Sequence, residues 1–507
     1  MRSAIRWQGR TLRRMSKVCA HGGSLCRMKI TPIVVILATA ISARADVSLS
    51  PIIGSHMVLQ RDAACPVWGW ADAGEEVTVE FAGQKKTGKP DANGKWMVKL
   101  DAMKANATSQ AMTVKGKNTL TLDDVVVGDV WLCSGQSNME WTVNSSANPK
   151  EEIAAGTQPL IRHLKVNNPG AVKPDEKVIS GGWQNASPQT VGGFSAVGYY
   201  FAKSVRKEVD VPIGLLGANW GGTRIEPWVP PQGFKAVSAL KDIADKLDQF
   251  PSKSEKPDKA DPTKTVVSVN IQTPLALFNA RIAPLVPFAI KGALWYQGES
   301  NNGEGMLYFE KMKALVGGWR DVWQMPDMPF YFVQLAPFIY RGANPENLAR
   351  IWEAQAAALA IPHTGMAVLT DIGNITDIHP KNKQEVGRRL ALWALAKDYG
   401  KKATVFSGPL FKAAAFDGAK ATLTFEHGAG LKAKEGQALT HFVAAGEDKA
   451  FVPAKAEIVG DKIVVTADGV AKVTAVRFGW SHDAEPNLFN GAGLPASPFR
   501  TDDWPVK

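Results

Sequence analysis

Five short apolar runs recur between residues 123 and 402, separated by stretches with helical character. They are Val130-Trp131-Leu132-Cys133, Ile213-Gly214-Leu215-Leu216, Ile290-Lys291-Gly292-Ala293-Leu294-Trp295-Tyr296, Phe330-Tyr331-Phe332-Val333 and Met366-Ala367-Val368-Leu369. Between them, Phe194, Val197, Phe201 and Val205 share one helical face, and residues 305–320 and 346–360 are helix-like. Pro380 is expected in the first turn of a further helix running to about Lys397. This alternation predicts an α/β fold, with a parallel sheet covered by helices on both faces. Ligands in such sheets bind beyond the carboxyl ends of the strands, so the residues after each run carry most of the information.

The flanks read differently. Residues 46–122 suggest a β-rich N-terminal domain. Val77-Thr78-Val79-Glu80-Phe81 alternates with period two, and Asn93-Gly94 is a turn signal before Lys95–Leu100. Residues 403–507 return to strand patterns, as in Lys462-Ile463-Val464-Val465-Thr466. Both flanks are expected to be β-sandwich-like, around a central domain at 123–402 that carries a solvated insertion at about 251–264.

The chain has 507 residues and a formal charge of +11, but nine basic residues and no acidic one fall within residues 1–45. The remainder, at +2, has no broad field to steer a polyanion, so the sequence gives no support for a nucleic-acid partner. The basic start, the apolar Ile30–Ile41 segment and Ala43-Arg44-Ala45 form a secretory signal pattern, with a mature start near Asp46 and Met28 as the natural initiator. The apolar segment is too short for a comfortable membrane span. Export to a periplasmic or extracellular space is therefore expected, without stable membrane insertion. Only Cys65 and Cys133 remain after the leader, too few for a disulfide framework. No CxxC or HExxH motif supports a zinc site, and no metal or cofactor is expected.

Candidate chemistry lies at the strand ends. After the first run comes Ser134-Gly135-Gln136-Ser137-Asn138-Met139-Glu140, which fits Ser137 either as a nucleophile lifted on a tight turn or as a helix cap. Met139 stands where a G-x-S-x-G elbow has its second glycine, which argues against an α/β-hydrolase. After the second run, Gly221-Gly222 permits a close backbone approach to a ligand, or is a plain tight turn. The third run ends in Gln297-Gly298-Glu299-Ser300-Asn301, where an amide would donate to an oxyanion and Glu299 would orient a base or bind hydroxyls. After the fifth run, Asp377-Ile378-His379 offers a base with an acid two residues away.

The segments Gly135-Gln136-Ser137-Asn138-Met139-Glu140-Trp141, Trp295–Asn301 and Asp377-Ile378-His379-Pro380 resemble the sialate O-acetylesterase family, within the wider SGNH (GDSL-like) hydrolases. The likeness extends to Val67-Trp68-Gly69-Trp70 and to Gly493–Arg500. It implies a serine esterase that removes acetyl groups from sugar hydroxyls. Ser137 would be the nucleophile and His379 the base. Asp377 would be the orienting acid, with Glu299 as its rival because the wider superfamily spaces its acid three residues before the histidine. The oxyanion hole would use the Ser137 and Gly222 N–H groups with Gln297, or Asn301 in reserve. Trp220, Arg224, Tyr296, Asn487 and Asn490 are candidate sugar contacts. The implied partner is an acetylated carbohydrate, from sialic acids to hemicellulose. A non-catalytic carbohydrate-binding protein and an esterase or lipase acting on non-sugar esters are the alternatives.

Overall fold

The central strand decides the architecture. In the computed structural model, which describes residues 46–257, 261 and 263–505, strand β1 (Thr119–Gly135) runs unbroken for 17 residues. Its first half belongs to the N-terminal β region, where it pairs antiparallel with Asn106–Lys115. Its second half is the middle of the parallel sheet. Those buried residues, Val125–Gly135, are nearly all apolar, as a strand covered on both faces requires. The leader assigned to residues 1–45 lies outside the described residues.

The other strands of the sheet are β2 (Gln158–Lys165), β3 (Gln184–Ala186), β4 (Ile213–Asn219), β5 (Gly292–Tyr296), β6 (Phe330–Val333) and β7 (Thr364–Ala367). The spatial order is β3-β2-β4-β1-β5-β6-β7. All neighbours are parallel except β3, which closes one edge antiparallel to β2. From β1 the chain first goes to the β4 side and later returns on the β5 side. The end of β1 is thus where the order switches direction, the usual position of a binding crevice.

Five helices matter for the site: α1 (Ser137–Glu140), α2 (Ala196–Glu208), α3 (Leu307–Trp323), α4 (Glu346–Ala357) and α5 (Lys383–Lys397). The sequence places α5 too early. Its cap is Asn382, whose side chain accepts from the Glu385 N–H, so Pro380 precedes the helix. Asn93-Gly94 does turn the chain, with Gly94 at φ +76°, but Lys95–Leu100 pairs with Cys65–Trp70 and not with the strand just before the turn.

The N-terminal β region and the parallel sheet share one hydrophobic core, from Val47, Trp68 and Trp96 to Trp131, Trp295 and Trp352. The strand β1 passes through positions 122 and 123 without a break, because it serves both sides. The C-terminal β region has its own core around Leu423, Phe442, Ile463, Phe478 and Phe499. The segment expected to be a solvated insertion contains one arm of a ribbon, Lys253–Pro257 paired with Thr265–Val269, and Lys253, Glu255 and Pro257 are exposed. Cys65 and Cys133 are both free and buried, and burial pushes each thiol up to about 12. Among the described residues, no helix is long and apolar enough to cross a membrane.

Candidate active site

The site is built on the turn after β1. Gly135 sits at φ +133°, and a Cβ there would lie 2.1 Å from the Tyr296 carbonyl oxygen on β5. Only glycine satisfies both conditions. The Gln136 N–H donates to that same carbonyl at 2.9 Å. The Gln136 side-chain oxygen accepts from the Gly298 and Ser300 N–H groups at 3.4 and 3.3 Å. The turn is thereby tied to the loop after β5, and Ser137 emerges half-buried as the first residue of α1.

His379 comes from the loop between β7 and α5. Its Nε2 lies 2.9 Å from the Ser137 Oγ, a hydrogen bond across 242 residues of chain. Trp141 stacks on the imidazole with centroids 4.4 Å apart and planes 15° from parallel. Trp141 is itself anchored by its indole N–H, which donates to the Ser145 carbonyl at 2.7 Å. Burial and, after it, the Lys383 charge lower the His379 pKa below its ordinary value, against the opposing pull of Asp377. The imidazole is therefore neutral, and able to accept a proton, down to mildly acidic pH.

Asp377 supports the loop more than the ring. Its carboxylate accepts from the His379 backbone N–H at 3.0 Å, an Asx-type turn, whereas its oxygen is 4.0 Å from the ring Nδ1. That second separation is too long for a hydrogen bond. Glu299, the rival acid, does not meet the histidine. Its Oε1 accepts from the Asn138 amide at 2.6 Å, and its Oε2 has no partner among the described residues. Burial holds its carboxyl above the usual range.

The loop after β4 closes the other side. Glu140 accepts from the Gly221 N–H at 2.8 Å, and a Cβ on Gly221 would lie 3.3 Å from the Ser137 Cβ. Gly222 adopts φ +70°, with open space where its Cβ would be. Its carbonyl accepts from Gln272 at 2.9 Å. Neither the Gly222 nor the Ser137 N–H donates a hydrogen bond among the described residues. Two backbone donors, one at the start of α1 and one in the loop after β4, are thus left without a protein acceptor among the described residues.

Several expected contacts are absent. Gln297 is fully buried, and its amide donates to the Thr223 carbonyl at 3.1 Å and to Asn301 at 2.7 Å. Asn301 donates to Glu226 and Glu304, both at 3.1 Å. Neither amide has a proton left for an oxyanion, which corrects both choices. Arg224 is not a free anion receptor, because its guanidinium binds Glu226 at 2.9 Å and also Glu304. Tyr296 is buried and unable to stack on a sugar. Asn487 bonds to Thr440 and Ala438, and Asn490 to Ser407, His427 and Leu494, so both brace C-terminal loops. Trp220 is half-buried, with the Arg281 guanidinium 4.3 Å from its ring centroid.

The sequence reading also missed Asn138, Trp141 and Lys383 as parts of the site. Asn138 and Trp141 had a signal, since both follow Ser137 within about one helical turn. Lys383 had none beyond its place at the start of α5.

A family of carbohydrate esterases described as sialic acid-specific acetylesterases matches residues 127–250 and 276–396, which leaves out the ribbon between β4 and β5. The human sialate O-acetylesterase is 30% identical over 504 residues, covering 90% of this chain and 93% of its own. The chain belongs to the sialate O-acetylesterase family. The mouse sialate O-acetylesterase is likewise 30% identical, over 429 residues, 75% of this chain and 79% of its own. A crystal structure of a carbohydrate acetylesterase from Xanthomonas citri superposes with a TM-score of 0.81 at 40% identity, covering 90% of this chain and all of that one. The fold is the SGNH-like α/β arrangement with flanking β regions, and family membership makes the chain a carboxylic-ester hydrolase.

Proposed function

We propose that the protein is an exported carbohydrate O-acetylesterase that works through an acetyl-enzyme on Ser137. The observation that carries this reading is the 2.9 Å contact between the Ser137 Oγ and the His379 Nε2. A serine hydroxyl is a weak nucleophile until a base takes its proton as the new bond forms. His379, neutral and held by Trp141 and the Asp377 turn, is that base. Ser137 attacks the acetyl carbonyl, and the resulting oxyanion is held by the Ser137 and Gly222 N–H groups. The imidazolium then gives its proton to the departing sugar oxygen. Water, activated by the same imidazole, releases acetate and restores the serine.

Asp377 contributes by steadying the His379 backbone and by a longer-range attraction to the imidazolium, because its carboxylate is partly solvated and not bonded to the ring. An acetylated sugar as substrate rests on family membership and on the descriptions of the relatives above. Export rests on the signal pattern in residues 28–45 alone.

Two measurements test the reading together. An activated acetate such as p-nitrophenyl acetate should give a burst of product in proportion to enzyme, and a fluorophosphonate should label the peptide that contains Ser137. Acetate release from a panel of acetylated sialic acid, xylan, xyloglucan and chitin fragments should then identify the sugar. Labelling of another residue with activity lost in parallel would overturn the mechanism. Absence of acetate release from every carbohydrate, with simple esters still cleaved, would overturn the substrate class.

A further inference from the structure

Resting on the Ser–His reading, we infer that Lys383 and Glu299 are positioning residues that hold Ser137 and His379 in register through Asn138. Asn138 directly follows the nucleophile. Its amide nitrogen donates to Glu299 Oε1 at 2.6 Å and to the carbonyl of Ile378 at 3.0 Å, and Ile378 directly precedes His379. Its amide oxygen accepts from the Lys383 ammonium at 2.5 Å. One side chain thus connects the turn after β1, the loop after β5, the histidine loop and the first turn of α5. All three members are buried: Asn138 is 1% exposed, Lys383 0% and Glu299 8%.

Burying two ionisable groups is costly, and well-packed apolar side chains of similar volume would fill a structural core at lower cost. Here the cation is not even neutralised by direct contact, since the amide stands between it and the carboxylate. One oxygen of Glu299 is left without a partner among the described residues, and burial lowers the Lys383 pKa to about 7. Such incomplete satisfaction is a mark of functional sites. The groups facing Lys383 and His379 are Glu299 from the β5 loop, Asp377 from the histidine loop, the Tyr296 ring on β5, and Ser137 and Trp141 from the nucleophile turn. Among these, Lys383 is the cation that opposes protonation of His379. It is itself charged throughout the acidic range in which His379 titrates.

Three consequences separate this from a packing role. Lys383→Met keeps the side-chain volume but removes donor and charge. It should lower kcat for p-nitrophenyl acetate roughly 10- to 100-fold with KM little changed, the cost of a misplaced reacting group. The acid limb of its kcat/KM profile should move to higher pH, because the imidazolium loses a repelling neighbour. Glu299→Ala should lower kcat by a similar factor, and Glu299→Gln, which keeps an acceptor for Asn138, should restore about tenfold of that loss.

Melting curves establish that each variant is folded. A folded Lys383→Met enzyme with wild-type kcat and an unmoved acid limb overturns the inference. If that variant does not fold, the Glu299 pair decides: wild-type kcat in Glu299→Ala, or no recovery in Glu299→Gln, overturns it. Failure of the wild-type enzyme to cleave the acetate ester would instead overturn the Ser–His reading itself.

Discussion

Two buried carboxylates, Glu299 in the loop after β5 and Glu226 packed against that loop, have opposite fates. Glu226 meets the Lys311 ammonium at 2.7 Å and the Arg224 guanidinium at 2.9 Å, with Glu304 completing a set of two cations and two anions. Although burial opposes ionisation, these cations hold its carboxyl at about 2. Among the described residues Glu299 has no cation in contact, only the Asn138 amide, and burial raises it. The first cluster is electrically complete and forms a wall, taking up Asn301 and Arg224 as it does so. The second is incomplete and is bonded, through Asn138, to the turn that carries Ser137 and the loop that carries His379. Completeness of charge pairing therefore distinguishes the scaffold from the machinery in this site more clearly than burial does.

The comparison can be broken from either side. The largest effect is expected on the machinery side: His379→Ala should lower kcat/KM for an acetate ester by at least about a thousandfold while the melting temperature stays close to wild type. Activity with melting temperature read in parallel checks this. On the wall side the order reverses. Lys311→Met leaves Glu226 and Glu304 short of a buried partner and should cost about 3–5 kcal/mol of stability, measured by denaturant unfolding. Turnover per folded molecule should change far less.

Acid sharpens the same contrast. Because Glu226 titrates at about 2 when folded and near 4.5 when unfolded, its cluster stabilises the protein above about pH 4.5. That stability is lost as pH falls towards 2. Activity should fail at higher pH than structure, as His379 protonates below its ordinary range. Circular dichroism and kcat/KM measured across one pH series check the order of the two losses.

Smaller effects complete the picture. Asp377→Ala should cost about tenfold in kcat, well short of the loss expected for a carboxylate bonded directly to the imidazole. Arg224→Ala should hardly change hydrolysis of a simple acetate, because its guanidinium is engaged with the wall.

The chemistry of individual strand ends was legible in the sequence, and the destination of each polar side chain was not. Ser137 and His379 both follow apolar strands of one parallel sheet, so a pattern of runs and turns puts them at the same sheet edge, although β7 is not a neighbour of β1 and the loop after β7 carries His379 the rest of the way. Strand β2 was missed because Arg162 and His163 interrupt it. Arg162 is buried there because the Asp124 carboxylate, 2.8 Å away, and the carbonyls of Met57, Asp124 and Pro159 receive it. The same reason explains Gln297, Asn301 and Arg224. An amide or guanidinium near a site resembles a substrate donor until its partners are known, and Thr223, Glu226 and Glu304 are remote in sequence or unremarkable in it. Asn138 is the converse case. In the sequence it is one letter of a recognisable string, and its contacts are with Glu299 and Lys383, 161 and 245 residues further along.

The most direct test of the whole account is turnover of p-nitrophenyl acetate by a folded Ser137→Ala variant. A loss of at least about a thousandfold, with the melting temperature retained, is expected if this hydroxyl forms the acetyl-enzyme. Turnover at the wild-type rate would contradict it.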